Sequence, residues 1–432
     1  MAKLRAAWSG SRIVFRIALV LCLLWVGLHT VAYAYFAVSP DPALRAVGIG
    51  ADYDFYSTTG KLLDQRGAIY DLVSNPFPAF TFKYHPAFAL VFSRLNRLPV
   101  EAVKVVWYLL LTLGYLGAVL VWFLLFSRMR SFNWETVGLA VLIPLLAYDW
   151  LGTLAFGNVS PFLLLFNALL MLSLIDRRPV WAGFFTAILL MLKFYWCFPL
   201  IVLVIFREWR FLVRVLGVAV LSYAGITLVY LLAIGDYAYG LSTLRDYVVY
   251  LAIASARQPW RGTEALFDTG NNAIYQTIVR YFGFTGWASG ITFGLQLVLV
   301  GFMLWQVWKL WRAGISRVVH PELSLVAAGA LYIVLMCTLV EVNDGMLSGI
   351  LCVLLWSMPP SRPWAMLYVP LALVEIPSLA GAAAGINWLV LPIGFPLILI
   401  GFVLLLVGMG RMMLTLPART VATEARFSGG RF

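Results

Sequence analysis

In the stretch Gly50-Ala51-Asp52-Tyr53-Asp54-Phe55-Tyr56-Ser57 two carboxylates stand two residues apart among aromatics, inside a chain that is otherwise strongly apolar. A carboxylate at a membrane surface can act as a general base toward a hydroxyl group. The same residues suit a helix N-terminus, with Asp52 or Asp54 capping a segment from 55 to 65. Both readings stand on these residues alone. Other ionisable groups near membrane-facing segments include Lys83 and His85 in Lys83-Tyr84-His85-Pro86, Lys193 within an apolar run, and Arg257 and Arg261 in a later polar stretch. A lysine inside an apolar run marks a functional position unless it snorkels to the interface. His85 reads either as an interfacial histidine or as a hydrogen-bond donor to phosphate or acceptor. Arg257 and Arg261 read as solvated or headgroup-facing charges, or as phosphate partners.

Motifs for several other chemistries are missing. The sequence has no GxxxxGK[ST] phosphate loop, no HExxH metal motif and no GxSxG nucleophile elbow. Its three histidines (His29, His85 and His320) are far apart. A carboxylate, several cations and apolar grooves suit group transfer from a lipid phosphate. The carboxylate deprotonates an acceptor hydroxyl, and Lys or Arg neutralises the departing phosphate. Composition leaves this as one option among several.

The elements that must position these groups are membrane helices. Only 12% of the 432 residues are charged and the mean hydropathy is +0.91. Apolar runs of about 20 residues recur, so the class is all-α and polytopic, without the ten-residue alternation of a β-barrel. The net charge of +12 falls mostly in short loops between apolar runs, which fits membrane topology and implies no nucleic-acid partner. Cys22, Cys197, Cys337 and Cys352 lie in apolar runs without a CxxC pair and read as packing residues. Lys3, Arg5, Arg12 and Arg16 precede the first apolar run, which is expected to be a membrane anchor rather than a cleaved signal.

Taken in order, 15–37 is expected to cross outward, 38–85 to form a first external loop with a helix in its middle, and 86–95 to lie at the interface. Segment 100–126 returns, 137–155 exits and 162–175 comes back, with a tight turn at Gly157-Asn158-Val159-Ser160-Pro161. Asn158-Val159-Ser160 is also a weak glycosylation sequon, being followed by proline. Arg177 and Arg178 before the next apolar run and Arg207, Arg210 and Arg214 after it require both its ends on one side. Two half-length helices, 181–192 and 196–206, satisfy that if the chain breaks at Lys193-Phe194-Tyr195. Neither half can cross roughly 30 Å of hydrocarbon alone, so they must line a cavity with Lys193 at its floor. Then 211–234 exits, 236–285 forms a second external loop, and 291–311 returns. Segments 323–340, 346–356, 364–379 and 388–407 complete about 12 crossings, with 411–432 as a basic cytoplasmic tail. One membrane domain, 1–432, carries two external loops. Glu341 and Asp344 read as helix-end groups.

Asp52-Tyr53-Asp54-Phe55-Tyr56, Leu62-Leu63 and Gly67-Ala68-Ile69-Tyr70 together resemble the first-loop signature of family 87 glycosyltransferases. The resemblance continues through Phe82-Lys83-Tyr84-His85-Pro86, Gly157-Asn158, Ala182-Gly183-Phe184, Lys193-Phe194-Tyr195, Pro199 and Asn271-Asn272. The family's members are GT-C integral membrane enzymes that take a sugar from a polyprenyl monophosphate on the outer face. Among them the chain looks like the polyprenyl-phosphomannose-dependent mannosyltransferases of actinobacterial glycolipid assembly.

The resemblance implies Asp52 as catalytic base and Lys193, with His85, Arg257 and Arg261, around the donor phosphate. Asp54, Tyr56, Lys83, Asn158, Asn271 and Asn272 become substrate-contact candidates. Asn158 stands where the family usually has glutamine, and Ala273 where serine is common. A polyprenyl-phosphate-sugar donor, a glycolipid or glycan acceptor and membrane lipids are the implied partners, in a bacterial inner membrane. The departing phosphate is already charged, so no metal or other cofactor is required. Two other classes remain: a transporter of lipid or polysaccharide precursors, with polar groups spread through its spans, and a non-catalytic subunit of an envelope-assembly complex.

Overall fold

The computed structural model describes residues 13–39, 41, 49–70, 82–126, 148–257 and 286–312. Every regular element among them is helical. The first, α1 (Ile13–Val38), leads through the first loop to α2 (Ala51–Asp64) and α3 (Pro86–Leu95). Then come α4 (Val100–Phe126), α5 (Tyr148–Phe156), α6 (Ser160–Ile175) and α7 (Pro179–Leu192). A 3-10 segment, η1 (Phe194–Leu200), runs into the short α8 (Ile201–Ile205), followed by α9 (Trp209–Ile234), α10 (Tyr237–Arg257) and α11 (Gly286–Arg312).

Three of these helices are long and apolar enough to cross a membrane: Arg16–Val38, Val100–Leu125 and Trp209–Ile234. They turn Leu21, Leu24, Leu28, Leu113, Val213, Val220 and Leu221 outward, a distribution suited to hydrocarbon rather than water. Helix α4 packs on α6 through small residues. A Cβ at Gly114 would come within 3.1 Å of the Phe162 ring, and one at Gly117 within 3.4 Å of Leu165. In lipid there is little hydrophobic force between helices, so such close approach supplies the association. The expected segments 137–147 and 323–407, and the tail, lie outside the described residues.

The break predicted at Lys193 is present. Helix α7 ends at Leu192, Lys193 is extended at φ −144° and ψ 101°, and the chain resumes as η1. Pro199 lies inside η1, where its missing N–H disfavours a regular α-helix. Arg177, just before α7, pairs with Glu208, just after α8, so the two arms start and finish at one end of the bundle. Trp311 Nε1 donates to Ile205 O at 2.7 Å, and Arg207 lies over the Trp311 ring at 4.6 Å. The C-terminal end of α11 therefore reaches the same corner, as the distribution of arginines and lysines requires.

Helix α7 lies against α9 at Gly183, where a Cβ would fall 2.6 Å from Val218 Cβ and 2.7 Å from Val215 O. Gly183→Ala is expected to force the two helices apart at a cost of about 1–3 kcal/mol. Thermal unfolding of the detergent-purified protein checks this, and an unchanged midpoint would show that the contact yields.

Candidate active site

The candidate site is built at the opposite end of the bundle from the Arg177–Glu208 pair. Helix α2 begins at Ala51, after Gly50 in the left-handed conformation (φ 75°) with no side-chain cap. Gly50 N–H donates to Ala155 O at 2.8 Å, and Tyr108 Oη donates to the same carbonyl at 3.3 Å, which seats the start of α2 on the end of α5. The capping alternative for the two aspartates is thus corrected. Asp52 and Asp54 lie inside the first turn, two and four residues after the Gly50 cap, and each is held by a different element.

Asp52 Oδ2 accepts from Asn158 Nδ2 at 2.6 Å. Asn158 Oδ1 accepts from the Ser160 backbone N–H at 2.9 Å and from Ser160 Oγ at 2.6 Å. A backbone N–H can only donate, so the amide is turned with its oxygen to Ser160 and its NH2 to Asp52. Asn158 is buried, 6% exposed, which leaves no room for the sugar tree that its sequon would carry. The turn depends on Gly157, at φ 71°, where an added Cβ would also meet Tyr53 Cβ at 3.2 Å. Trp107 Nε1 donates to Gly157 O at 2.9 Å and ties the turn to α4.

Tyr56 lies one helical turn below Asp52 and is buried, 1% exposed. Its hydroxyl meets Tyr84 Oη at 3.1 Å and the Val159 backbone N–H. Burial, then the neighbouring Tyr84 and Asp52, push its pKa well above the ordinary 10.0, so it works as a neutral hydrogen-bonding group. Tyr70 Oη donates to Tyr84 O at 2.5 Å. Asp54 points away to Lys104 Nζ, at 2.8 Å.

His85 caps α3: its Nδ1 accepts from Ala87 N–H at 3.2 Å. Thr227 Oγ1 gives its hydrogen to Tyr223 O at 2.9 Å and so can accept from His85 Nε2, 3.4 Å away. The ring is packed edge-on against Tyr223 and Tyr247, and burial pushes its pKa down from 6.5 to about 4. His85 N–H also donates to Met191 O at 2.8 Å, joining the first loop to the end of α7 beside Lys193. On the other flank Asn167 Nδ2 donates to Trp196 O at 2.7 Å. Asn167 is nine residues beyond Asn158 along α6. That sets the break about 13 Å below the Asp52 level along the helix axis.

The structure therefore gathers Asp52, Tyr56 and Asn158 into one cluster and lays Tyr84, His85 and the Lys193 break beneath it. Lys83 is half-buried in the segment leading to α3. Arg257 is the last residue of α10, while Arg261, Asn271 and Asn272 lie outside the described residues. Sequence reasoning named Ser160 and Tyr84 within motifs without giving either a role in the site, and passed over Lys104. Lys104 lies near the start of a long apolar run, where a lysine reads as a boundary residue, unlike Lys193 in the middle of its run.

A helical membrane chain with a carboxylate held at the head of its bundle fits a membrane-embedded transferase. The family model of glycosyltransferase family 87 matches residues 80–339, more than half of the chain. The protein belongs to glycosyltransferase family 87, and is an enzyme of the transferase class. The match takes in Lys83, His85, Asn158, Lys193, Arg257, Arg261, Asn271 and Asn272 and begins after Asp52, Asp54 and Tyr56. No curated protein and no solved structure matches the chain.

Two outcomes are expected. Asn158→Ala removes the hold on Asp52 and the two bonds from Ser160 at the start of α6, lowering stability by about 1–2 kcal/mol. Asn158→Asp keeps the acceptor facing Ser160 but sets a second carboxylate against Asp52, so a larger loss of activity than stability is expected in paired rate and melting assays. For His85, the neutral ring is the form favoured in the fold. Its contribution is fully present above pH 6.5 and is lost progressively as pH falls toward about 4. The loss amounts to at most about 3 kcal/mol. Melting curves across that window should show the slope, and His85→Asn, which can still cap α3, should flatten it.

Proposed function

We propose that this glycosyltransferase moves a sugar, mannose in the first instance, from a polyprenyl monophosphate to a hydroxyl of a glycolipid or glycan. The reaction is set at the extracytoplasmic face of a bacterial inner membrane. The observation that carries the reading is the fixed Asp52 carboxylate, aimed by an amide that can present only its NH2 side. The hydrogen bond from Asn158 fixes one carboxylate oxygen, Oδ2, beside the turn before α6, and an ionised carboxylate is an acceptor able to take a hydroxyl proton.

In the proposed step the acceptor O–H gives its proton to Asp52 as its oxygen forms a bond to the anomeric carbon. The bond from that carbon to the phosphate oxygen breaks on the opposite side, so the configuration inverts. The prenyl monophosphate leaves with the bonding electron pair. Lys193 is proposed to neutralise the leaving phosphate, with Arg257 and Arg261 from the second polar stretch completing the charge balance. Asn271, Asn272 and Lys83 are proposed to contact sugar or acceptor. The assignment of the site end to the outer face rests on the clustering of Arg177, Arg207, Lys309 and Arg312 at the other end. Tyr56 and His85 are proposed to shape the floor of the site, Tyr56 through Tyr84 and Val159, His85 through Met191.

Asp52→Asn keeps size and helix propensity while removing the base. Transfer of labelled mannose from synthetic polyprenyl-phosphomannose to membrane glycolipid by the purified protein is expected to fall by about 10²–10⁴-fold. A folded Asp52→Asn protein that transfers at the wild-type rate would place the base elsewhere. Absence of transfer by wild type across a panel of polyprenyl-linked sugars, together with lipid flipping in vesicles, would replace the transferase reading by a transporter.

A further inference from the structure

Lys104 is buried in α4, 5% exposed, and sequence reasoning assigns it nothing. Its Nζ lies 2.8 Å from Asp54 Oδ1, donates to Ala37 O at 2.8 Å, and sits 5.4 Å from the centroid of the Tyr53 ring. One ammonium thus grips the end of α1 and the first turn of α2 from within α4. Its partners are asymmetric: the Lys104 side chain is 7% exposed and that of Asp54 is 46% exposed.

Residues two apart on a helix are separated by about 200° of rotation, so anchoring one sets the direction of the other. Asp54 is anchored by Lys104 on one flank of α2, and Asp52 meets Asn158 on the other. A rotation of one residue, about 100°, would carry Asp52 away from Asn158. We infer that Lys104 and Asp54 are a positioning pair that fixes the azimuth of α2, and that Asp54 serves this role instead of contacting the sugar. The catalytic consequence rests on the reading of Asp52 as base; the positioning of α2 does not.

The energetics of the pair give a distinctive signature. Removing Asp54 strands a buried ammonium, whereas removing Lys104 leaves a carboxylate that water can reach. Asp54→Asn should be the more damaging single change, and adding Lys104→Met should restore part of what it loses.

The test compares wild type, Asp54→Asn, Lys104→Met and the double variant in the polyprenyl-phosphomannose transfer assay, with melting curves alongside. Both single variants are expected to lower kcat, Asp54→Asn by roughly tenfold and Lys104→Met by less, with donor and acceptor KM within about twofold, as misplacement of a reacting group does. A raised KM with unchanged kcat in Asp54→Asn would show that Asp54 touches substrate and would overturn the inference. So would additive losses in the double variant, or wild-type rates in both singles. The double variant carries no buried unpaired charge, so it keeps the comparison valid if Asp54→Asn fails to fold. A second arm needs no activity: Asp52→Cys is labelled with a membrane-impermeant maleimide, with and without Lys104→Met. A labelling rate changed severalfold supports positioning; an identical rate refutes it. If wild type transfers nothing but labelling changes, the base assignment fails while the positioning pair stands.

Discussion

The Asn158 side chain is the joint on which the site turns. Its oxygen is claimed by two donors from Ser160, and that claim forces its NH2 onto Asp52. The same residue therefore starts α6 and aims the carboxylate of α2. Because Ser160 supplies a backbone donor, the orientation cannot invert without leaving a buried N–H unsatisfied. Everything that fixes the start of α6 is thereby passed on to Asp52. This includes the left-handed Gly157, the Trp107 bond to its carbonyl and the packing of Gly114 on Phe162.

The two aspartates show how one short sequence serves two purposes. A helix sends positions two apart to opposite flanks, so the pair separates into a carboxylate facing the turn before α6 and one facing a buried lysine. Beneath them the polar groups form a descending series: Tyr56 to Tyr84, then His85, whose backbone meets the end of α7. Tyr56 and Tyr84 pair with each other there, and the His85 ring is held by Ala87 and Thr227. The formal charges lie above this layer, at the helix break and at the far end of the bundle where Arg177 pairs with Glu208.

Much of this was legible in the sequence because membrane helices announce themselves through length and charge. The helix 86–95, the long apolar helix 100–126 and the break at Lys193 all follow from apolar run length and arginine placement. Asp52 was legible as a residue of interest, but its engagement was not. No periodicity shows that a side chain 106 positions away would bind it. Capping was a fair expectation for aspartates after a glycine, yet Gly50 took a left-handed turn and bonded Ala155, moving the helix start forward. Lys104 was missed because a lysine near the start of an apolar run looks like a snorkelling boundary residue. Its partners come from α1 and α2, which only the fold brings to it.

The hairpin of α7, η1 and α8 bears on how the chain is made. A segment that enters and leaves by the same face cannot be released into lipid as an ordinary span, because the polar backbone at its tip would be stranded. The groups that receive that tip are Asn167, which takes the Trp196 carbonyl, and His85, which gives its N–H to Met191. Both precede the hairpin in the chain, so a berth exists before the hairpin emerges during synthesis. Helix α9, which closes over it at Gly183, follows directly. The order of elements along the polypeptide thus allows the candidate-site end to be laid down before the hairpin that packs beneath it.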